Sequence, residues 1–188
     1  MKVLFNIIIF SLCLGFGIKT YIFEVFTVPT DSMTPTIAVG QKVWLCKWSF
    51  KPQKDDVVGF EKNGEYFVKR IIGMPLDSVH TEGGLFRVGN GKRFVSNAPL
   101  LFFKIPKKGD TVILDKDNFS FYQPLIEKEG NQAGLLFDKM YINGSEATSY
   151  IFKQNYYFVQ GDNLNHSEDS RHFGLIGEKK LLGWWVQP

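Results

Sequence analysis

Residues 3–18 carry no charged side chain, and the apolar character resumes beyond Lys19 with Tyr21-Ile22-Phe23 and Val25-Phe26. Drawn as a helix, residues 3–23 span about 31 Å at 1.5 Å per residue, which matches a bilayer core. The pattern predicts one membrane pass, with Lys19 snorkelling to the interface and Tyr21 and Phe23 in an interfacial belt. A cleaved secretory signal peptide is the competing reading, because the uncharged core is only 16 residues long. No small-x-small cleavage site follows the run, so residues 1–26 read as a retained anchor. Lys2 and the amino terminus favour a cytoplasmic N-terminus, whereas Lys19 argues the other way.

Past residue 27 the apolar residues come in short runs rich in Val, Ile, Phe and Trp, broken by Gly, Pro and Asn. Strands are expected at 42–48, 56–61 and 66–73, and again at 78–80, 85–88, 111–114, 141–142, 150–152 and 156–160. Asn63-Gly64 and Asn143-Gly144 are hairpin signals between such runs. Only residues 118–129 look helical, with Asn118 as the N-cap and Gly130 as the stop. The expected fold is mostly β: an antiparallel sheet domain over 27–188, one short helix, and an N-terminal transmembrane helix. Residues 89–130 begin with a polar, Pro- and Lys-bearing stretch and read as an excursion from the core sheet rather than a second full domain.

Composition narrows the function classes. A chain of 188 residues with 44% hydrophobic content folds around a proper core. Twenty-two basic and 19 acidic residues give a net charge of +3 with no dense basic tract, so nucleic acid is not an expected partner. Cys13 in the apolar segment and Cys46 outside it imply no disulfide framework. His80, His166 and His172 lack metal-ligand spacing, and His166 and His172 read as solvated loop residues; no metal or cofactor is implied.

Three stretches carry candidate chemistry. In Val28-Pro29-Thr30-Asp31-Ser32-Met33-Thr34-Pro35-Thr36 the two prolines hold Val28 and Thr34 extended and stop any helix, leaving Ser32 on a stiff segment. Such a segment suits a nucleophile that must meet a carbonyl at about 3 Å, and equally a membrane-to-domain linker. In Tyr66-Phe67-Val68-Lys69-Arg70-Ile71-Ile72-Gly73, alternation places Lys69 on one face with Phe67 and Ile71. Desolvation there would lower its pKa and make a neutral amine available as a general base; a strand lysine leaning into solvent is the plain alternative. Gly161-Asp162-Asn163-Leu164-Asn165-His166-Ser167-Glu168-Asp169-Ser170-Arg171 is a turn-rich loop whose hydroxyls could orient an amine and whose Asp169 and Arg171 could pair. An ordinary polar loop would look much the same.

Together and in this order, the three stretches resemble the type I signal peptidases, the bacterial leader peptidase family of membrane-anchored serine proteases that use a Ser/Lys pair. Gly40-Gln41-Lys42-Val43 and Met74-Pro75 extend the match, and Gly174 closes it. The resemblance implies a fold shared with repressor autoproteases. It makes Ser32 the nucleophile, Lys69 the general base, Thr30 and the Ser32 backbone N–H the oxyanion hole, Ser167 the group orienting the amine, and Asp169 and Arg171 structural support. It also implies pocket walls of Phe26, Val28, Met33, Ile37, Phe67 and Val68, bulky enough to admit only small substrate side chains. Where the family often has Arg-Asp after the loop asparagine, this chain has Leu164-Asn165, and Leu76-Asp77 stands where Gly-Asp is common.

The implied activity is cleavage of N-terminal signal peptides from exported preproteins after small-x-small sites. The implied setting is the bacterial plasma membrane, with the lipid bilayer as partner, a cytoplasmic N-terminus and an extracytoplasmic catalytic domain. A specialised relative acting on one pilin-like or plasmid-encoded substrate is a second reading. An inactive membrane-tethered binding module is a third. An autoprotease of the repressor type is disfavoured by the apolar segment and the lack of a DNA-binding N-terminal domain.

Overall fold

The computed structural model describes residues 22–82, 85–89, 93–95 and 102–186. The expected anchor lies outside these residues up to position 21, and Phe23–Thr27, of which 23–26 were drawn with it, is a β-strand. Among the described residues no helix is long and apolar enough to cross a membrane.

The strands in chain order begin with β1 (Phe23–Thr27), β2 (Lys42–Cys46), β3 (Val57–Lys62), β4 (Glu65–Gly73), β5 (Ser78–Glu82) and β6 (Leu85–Val88). Next come β7 (Arg93–Val95), β8 (Phe102–Lys104), β9 (Thr111–Ile113), β10 (Ala133–Leu136), β11 (Lys139–Ile142) and β12 (Ser145–Glu146). Last are β13 (Ser149–Ile151), β14 (Tyr156–Gln160), β15 (Ile176–Gly177) and β16 (Leu181–Trp185). Two α-helices are described, α1 (Lys116–Lys128) and α2 (Ser170–Phe173). The fold is mostly β with antiparallel pairing and few helices.

The chain divides into two compact units. The first, residues 1–71, 160–168 and 180–188, carries the antiparallel order β1-β2-β16-β3-β4. Its core gathers Val28, Met33, Ile37, Val43, Leu45, Val57 and Trp185, with Phe26, Val68 and Leu182 packed against them. The Asn63-Gly64 hairpin joins β3 to β4, with Lys62 opposite Glu65 and φ of 53° and 84° at the two turn residues. Positive φ at both positions is what a type I′ turn demands, and Asn-Gly supplies it at low cost.

The second unit, residues 72–159 and 169–179, holds the sheet β7-β6-β5-β8, the hairpin set β10-β11-β12, and the pairs β9 with β13 and β14 with β15. Its core draws on Ile105, Val112, Leu114, Phe119, Tyr122, Leu125 and Ile126. The stretch 89–130, expected to leave the core, thus supplies much of this one. Lysines and glycines between its apolar positions hide the pattern in the sequence. Helix α1 begins earlier than expected: Asp115 is the N-cap, accepting from the N–H groups of Asp117 (3.0 Å) and Asn118 (2.8 Å). Asn118 returns the bond to the Asp115 N–H at 3.1 Å, completing a capping box. Gly130, φ 85°, follows the helix end as expected.

Candidate active site

The segment after β1 is a series of turns pinned by two buried side chains. Val28 exchanges backbone bonds with Gln41 and Gly40, at 2.9 and 2.8 Å. The carbonyl of Asp31 accepts from the Thr34 N–H (3.0 Å) and hydroxyl (2.7 Å). Met33 and Ile37 are fully buried, which fixes the backbone on the far side of Ser32. The Thr34–Pro35 peptide is cis. Ser32 is held buried, 5% exposed.

Lys69 comes from β4, directly opposite Val58 of β3, with Phe67 opposite Phe60 two positions away. Opposed residues of an antiparallel pair share a face. Val58 and Phe60 are fully buried and Phe60 stacks on Phe67, so Lys69 leaves the sheet among apolar neighbours and is itself only 4% exposed. Its Nζ lies 2.6 Å from Ser32 Oγ, across 37 residues of sequence. The Thr30 hydroxyl donates to the same oxygen at 3.2 Å.

These three side chains sit in a cleft of about 620 Å³ lined by Phe26, Val28, Tyr66, Phe67 and Val68, with Glu65, His166 and Glu168 also at its walls. Four of the six expected wall residues line it. Met33 and Ile37 do not: both are core residues, fully buried, and support the nucleophile segment from behind.

Loop 160–168 closes round the nucleophile. The Asn163 N–H donates to the Ser32 carbonyl at 3.0 Å. Its side-chain amide donates to the Asp31 carbonyl and the Thr34 hydroxyl, both at 3.2 Å. Asp162 receives the Arg70 guanidinium in a two-pronged bridge, Nε at 2.8 Å and Nη2 at 2.6 Å, which raises the Arg70 pKa further. Ser167 is buried, and its Oγ presses on Gly161, where a Cβ would lie 2.1 Å from that oxygen and 2.5 Å from the Ser32 carbonyl oxygen. Asp169 and Arg171 belong to the second unit. There Asp169 is fully buried, accepts from Arg171 Nε at 2.8 Å and Nη2 at 2.9 Å, and caps α2.

The sequence profile of the family described as signal peptidase, peptidase S26, matches residues 1–187. The chain belongs to that family. It is therefore a peptidase. Signal peptidase I of Buchnera aphidicola subsp. Schizaphis graminum is 25% identical over 89% of this chain and 68% of its own length. Signal peptidase IB of Staphylococcus aureus is 28% identical over 89% of this chain and 78% of its own length. A crystal structure of a signal peptidase I from Enterococcus faecalis V583 aligns at 23% identity over 73% of this chain and 98% of that one, with a TM-score of 0.36.

For an S26 peptidase read from sequence alone, the residues missed are those whose partners are remote. Asn163 and Asp162 stand in a motif that was visible, but their bonds to Asp31, Thr34 and Arg70 were not. His166, read as a solvated loop histidine, is indeed exposed, yet its Nδ1 lies 2.6 Å from Asp31 Oδ2, 135 residues away. His80 packs on the ring of Phe102 at 4.6 Å, and His172 Nδ1 accepts from the Asp169 N–H at 3.3 Å. Cys46 is a buried free thiol. Among the described residues no three His, Cys, Asp or Glu side chains cluster as metal ligands.

Proposed function

We propose that this peptidase is a membrane-anchored serine endopeptidase that removes N-terminal signal peptides from exported preproteins, with Ser32 as nucleophile and Lys69 as general base. The observation that carries the reading is the 2.6 Å approach of a buried lysine amine to a buried serine hydroxyl in an apolar cleft. Burial of the amine among apolar neighbours disfavours the ammonium and so favours the neutral form that a general base requires. Lys69 Nζ takes the Ser32 proton as Oγ adds to the scissile carbonyl. The resulting oxyanion is held by the Ser32 backbone N–H and the Thr30 hydroxyl, already within 3.2 Å of the nucleophile. Lys69 then returns the proton to the leaving amine as the C–N bond breaks, and the acyl group stays on Ser32. A water deprotonated by Lys69 releases it and restores the hydroxyl. Ser167 orients the amine in this scheme, and Asp169 and Arg171 brace the chain that follows it.

Phe26, Val28, Phe67 and Val68 set the substrate preference, since bulky walls leave room for Ala, Gly or Ser before the cut. A methylene or two of discrimination is worth about 1–3 kcal/mol. Residues 1–21 serve as the anchor, with a cytoplasmic N-terminus and the cleft on the extracytoplasmic face of the bacterial plasma membrane. There the enzyme meets the end of a signal peptide's own apolar helix.

The test is cleavage of a preprotein bearing an Ala-x-Ala site by the detergent-solubilised full chain, in the presence of a chelator. Wild type cuts at that site, and Ser32→Ala and Lys69→Ala do not. A wild-type protein inert on several preproteins, or a fully active Lys69→Ala, overturns the proposal.

A further inference from the structure

The residue directly before the nucleophile carries a carboxylate that the proposed chemistry does not use. Asp31 Oδ2 lies 2.6 Å from His166 Nδ1, and the Asn163 side-chain amide reaches the same oxygen at 3.4 Å. An ionised carboxylate only accepts, so His166 Nδ1 carries the hydrogen of this bond. Within loop 160–168 the His166 N–H donates to the Asn163 carbonyl at 3.1 Å, which makes the two residues the ends of one turn. His166 also lines the cleft that holds Ser32 and Lys69.

Stability does not account for this pair. The His166 and Asp31 side chains are 63% and 45% exposed, and a pair so open to water contributes little to folding. Its place in the chain is what distinguishes it. The Asp31–Ser32 peptide is one plane, with the Asp31 carbonyl on one edge and the Ser32 N–H on the other. That N–H is the backbone donor assigned to the oxyanion. The carbonyl edge is held by the Thr34 N–H at 3.0 Å, the Thr34 hydroxyl at 2.7 Å and the Asn163 amide at 3.2 Å. Beyond it, the Ser32 carbonyl accepts the Asn163 N–H at 3.0 Å. His166 adds a hold on the side chain of Asp31, the residue from which the plane starts.

We propose that His166 is a positioning residue for the peptidase reaction: bonded to Asp31, it fixes the Asp31–Ser32 peptide and so aims the Ser32 N–H at the oxyanion. This role rests on the reading of Ser32 as the nucleophile. The oxyanion exists only once Oγ has added to the scissile carbonyl. An N–H turned off its line therefore loses transition-state stabilisation and leaves substrate binding intact. Loss of the His166 bond falls on kcat and not on KM, whereas loss of a wall residue that touches substrate raises KM. The bonds through Asn163 remain when His166 is replaced, so the loss is partial. It amounts to about tenfold in kcat, below the 10²-fold or so that a 1 Å misplacement costs.

The experiment is steady-state cleavage of an Ala-x-Ala preprotein by the detergent-solubilised full chain and its His166→Leu, His166→Asn, Asp31→Ala and Asp31→Ala/His166→Leu variants. Each is assayed at a temperature where thermal unfolding shows it folded. His166→Leu is expected to lose about tenfold in kcat, with KM unchanged and Tm near that of wild type. His166→Asn, whose amide nitrogen takes the place of Nδ1, regains most of that loss. The double variant is no slower than Asp31→Ala, because both changes remove the same bond. Wild-type kcat in His166→Leu overturns the positioning role and leaves the Ser32–Lys69 reading standing. So does a raised KM at unchanged kcat, which makes His166 a substrate contact, or a His166→Asn chain as slow as His166→Leu. Additive losses in the double variant overturn the role as well, as does a Tm of His166→Leu well below wild type, which makes His166 a packing residue. A wild-type chain that cuts no preprotein overturns both readings.

Discussion

Replacing Gly161 with alanine adds one methyl group to the tightest point of the candidate site. No special backbone conformation is needed at 161, so the effect is steric. The new Cβ would lie 2.1 Å from Ser167 Oγ, 2.5 Å from Ser167 Cβ and 2.5 Å from the Ser32 carbonyl oxygen. Relief to an ordinary contact near 3.4 Å moves the Ser167 oxygen by about 1.3 Å and the Ser32 carbonyl by about 0.9 Å. The carbonyl cannot retreat freely, because it accepts the Asn163 N–H at 3.0 Å. Overpacking of this kind costs about 1–3 kcal/mol, or very roughly 2–12 °C in Tm for a chain of this size. The catalytic loss is larger than that implies, since a misplacement near 1 Å costs on the order of 10²-fold in rate. The assay is kcat on an Ala-x-Ala preprotein at a temperature where thermal unfolding shows the variant fully folded. A folded Gly161→Ala enzyme with wild-type kcat would refute the claim that Gly161 sets the positions of Ser32 and Ser167.

Three further outcomes follow from particular contacts. Thr30→Val removes the hydroxyl within 3.2 Å of Ser32 Oγ, and kcat should fall about 10²–10³-fold while KM changes little; steady-state kinetics on the same preprotein decide it. Leu76 occupies the third position of the Met74–Asp77 turn at φ 78°, closed by the Asp77 N–H to the Met74 carbonyl at 3.0 Å. Glycine is favoured there, so Leu76→Gly should raise stability by up to about 1 kcal/mol in a denaturant melt. Burial pushes the Tyr122 and Tyr157 hydroxyls up to about 12 and raises Tyr156 further. Their folded pKa values exceed the unfolded ones, so the native state holds more protons and stability is full below about pH 10 and declines from there towards pH 12. Urea melts across that range should show the decline, and Tyr122→Phe should make it shallower.

Much of the fold is legible because the local signals agree with the tertiary outcome. Nine expected strand runs correspond to strands, and both Asn-Gly pairs form hairpins. Strand β1 was hidden because Phe23, Val25 and Phe26 continue the apolar character of the preceding segment. Only its pairing with β2, Val25 opposite Trp44, distinguishes it. Strand β16 was masked by Gly183, whose place is set by a close approach: a Cβ there would lie 2.5 Å from the Cys46 carbonyl oxygen. The start of α1 was shifted by three residues because Asp115 and Asn118 both have capping chemistry, and the sequence does not say which is the cap.

At the candidate site, local pattern indicated only that Ser32 is on a stiff segment and Lys69 in an apolar strand. That the two meet followed from resemblance, because contact across 37 residues is a product of sheet register. Resemblance also supplies positions without depth. It nominated Met33 and Ile37 as pocket walls, whereas their side chains turn into the core. The Asn163, His166 and Arg70 contacts were invisible for the same reason as the dyad, their partners being remote in sequence.

Whether Lys69 activates Ser32 is read most directly by active-site labelling. The full chain in detergent is treated with a serine-reactive acylating probe and the modified peptide is mapped by mass spectrometry, in parallel with Lys69→Met. One adduct, on Ser32, is expected in wild type. None is expected in Lys69→Met, whose Tm should match or exceed that of wild type, because an apolar side chain of similar length replaces a buried amine. An adduct on another residue, or undiminished labelling of Ser32 in a folded Lys69→Met protein, would contradict activation of Ser32 by Lys69.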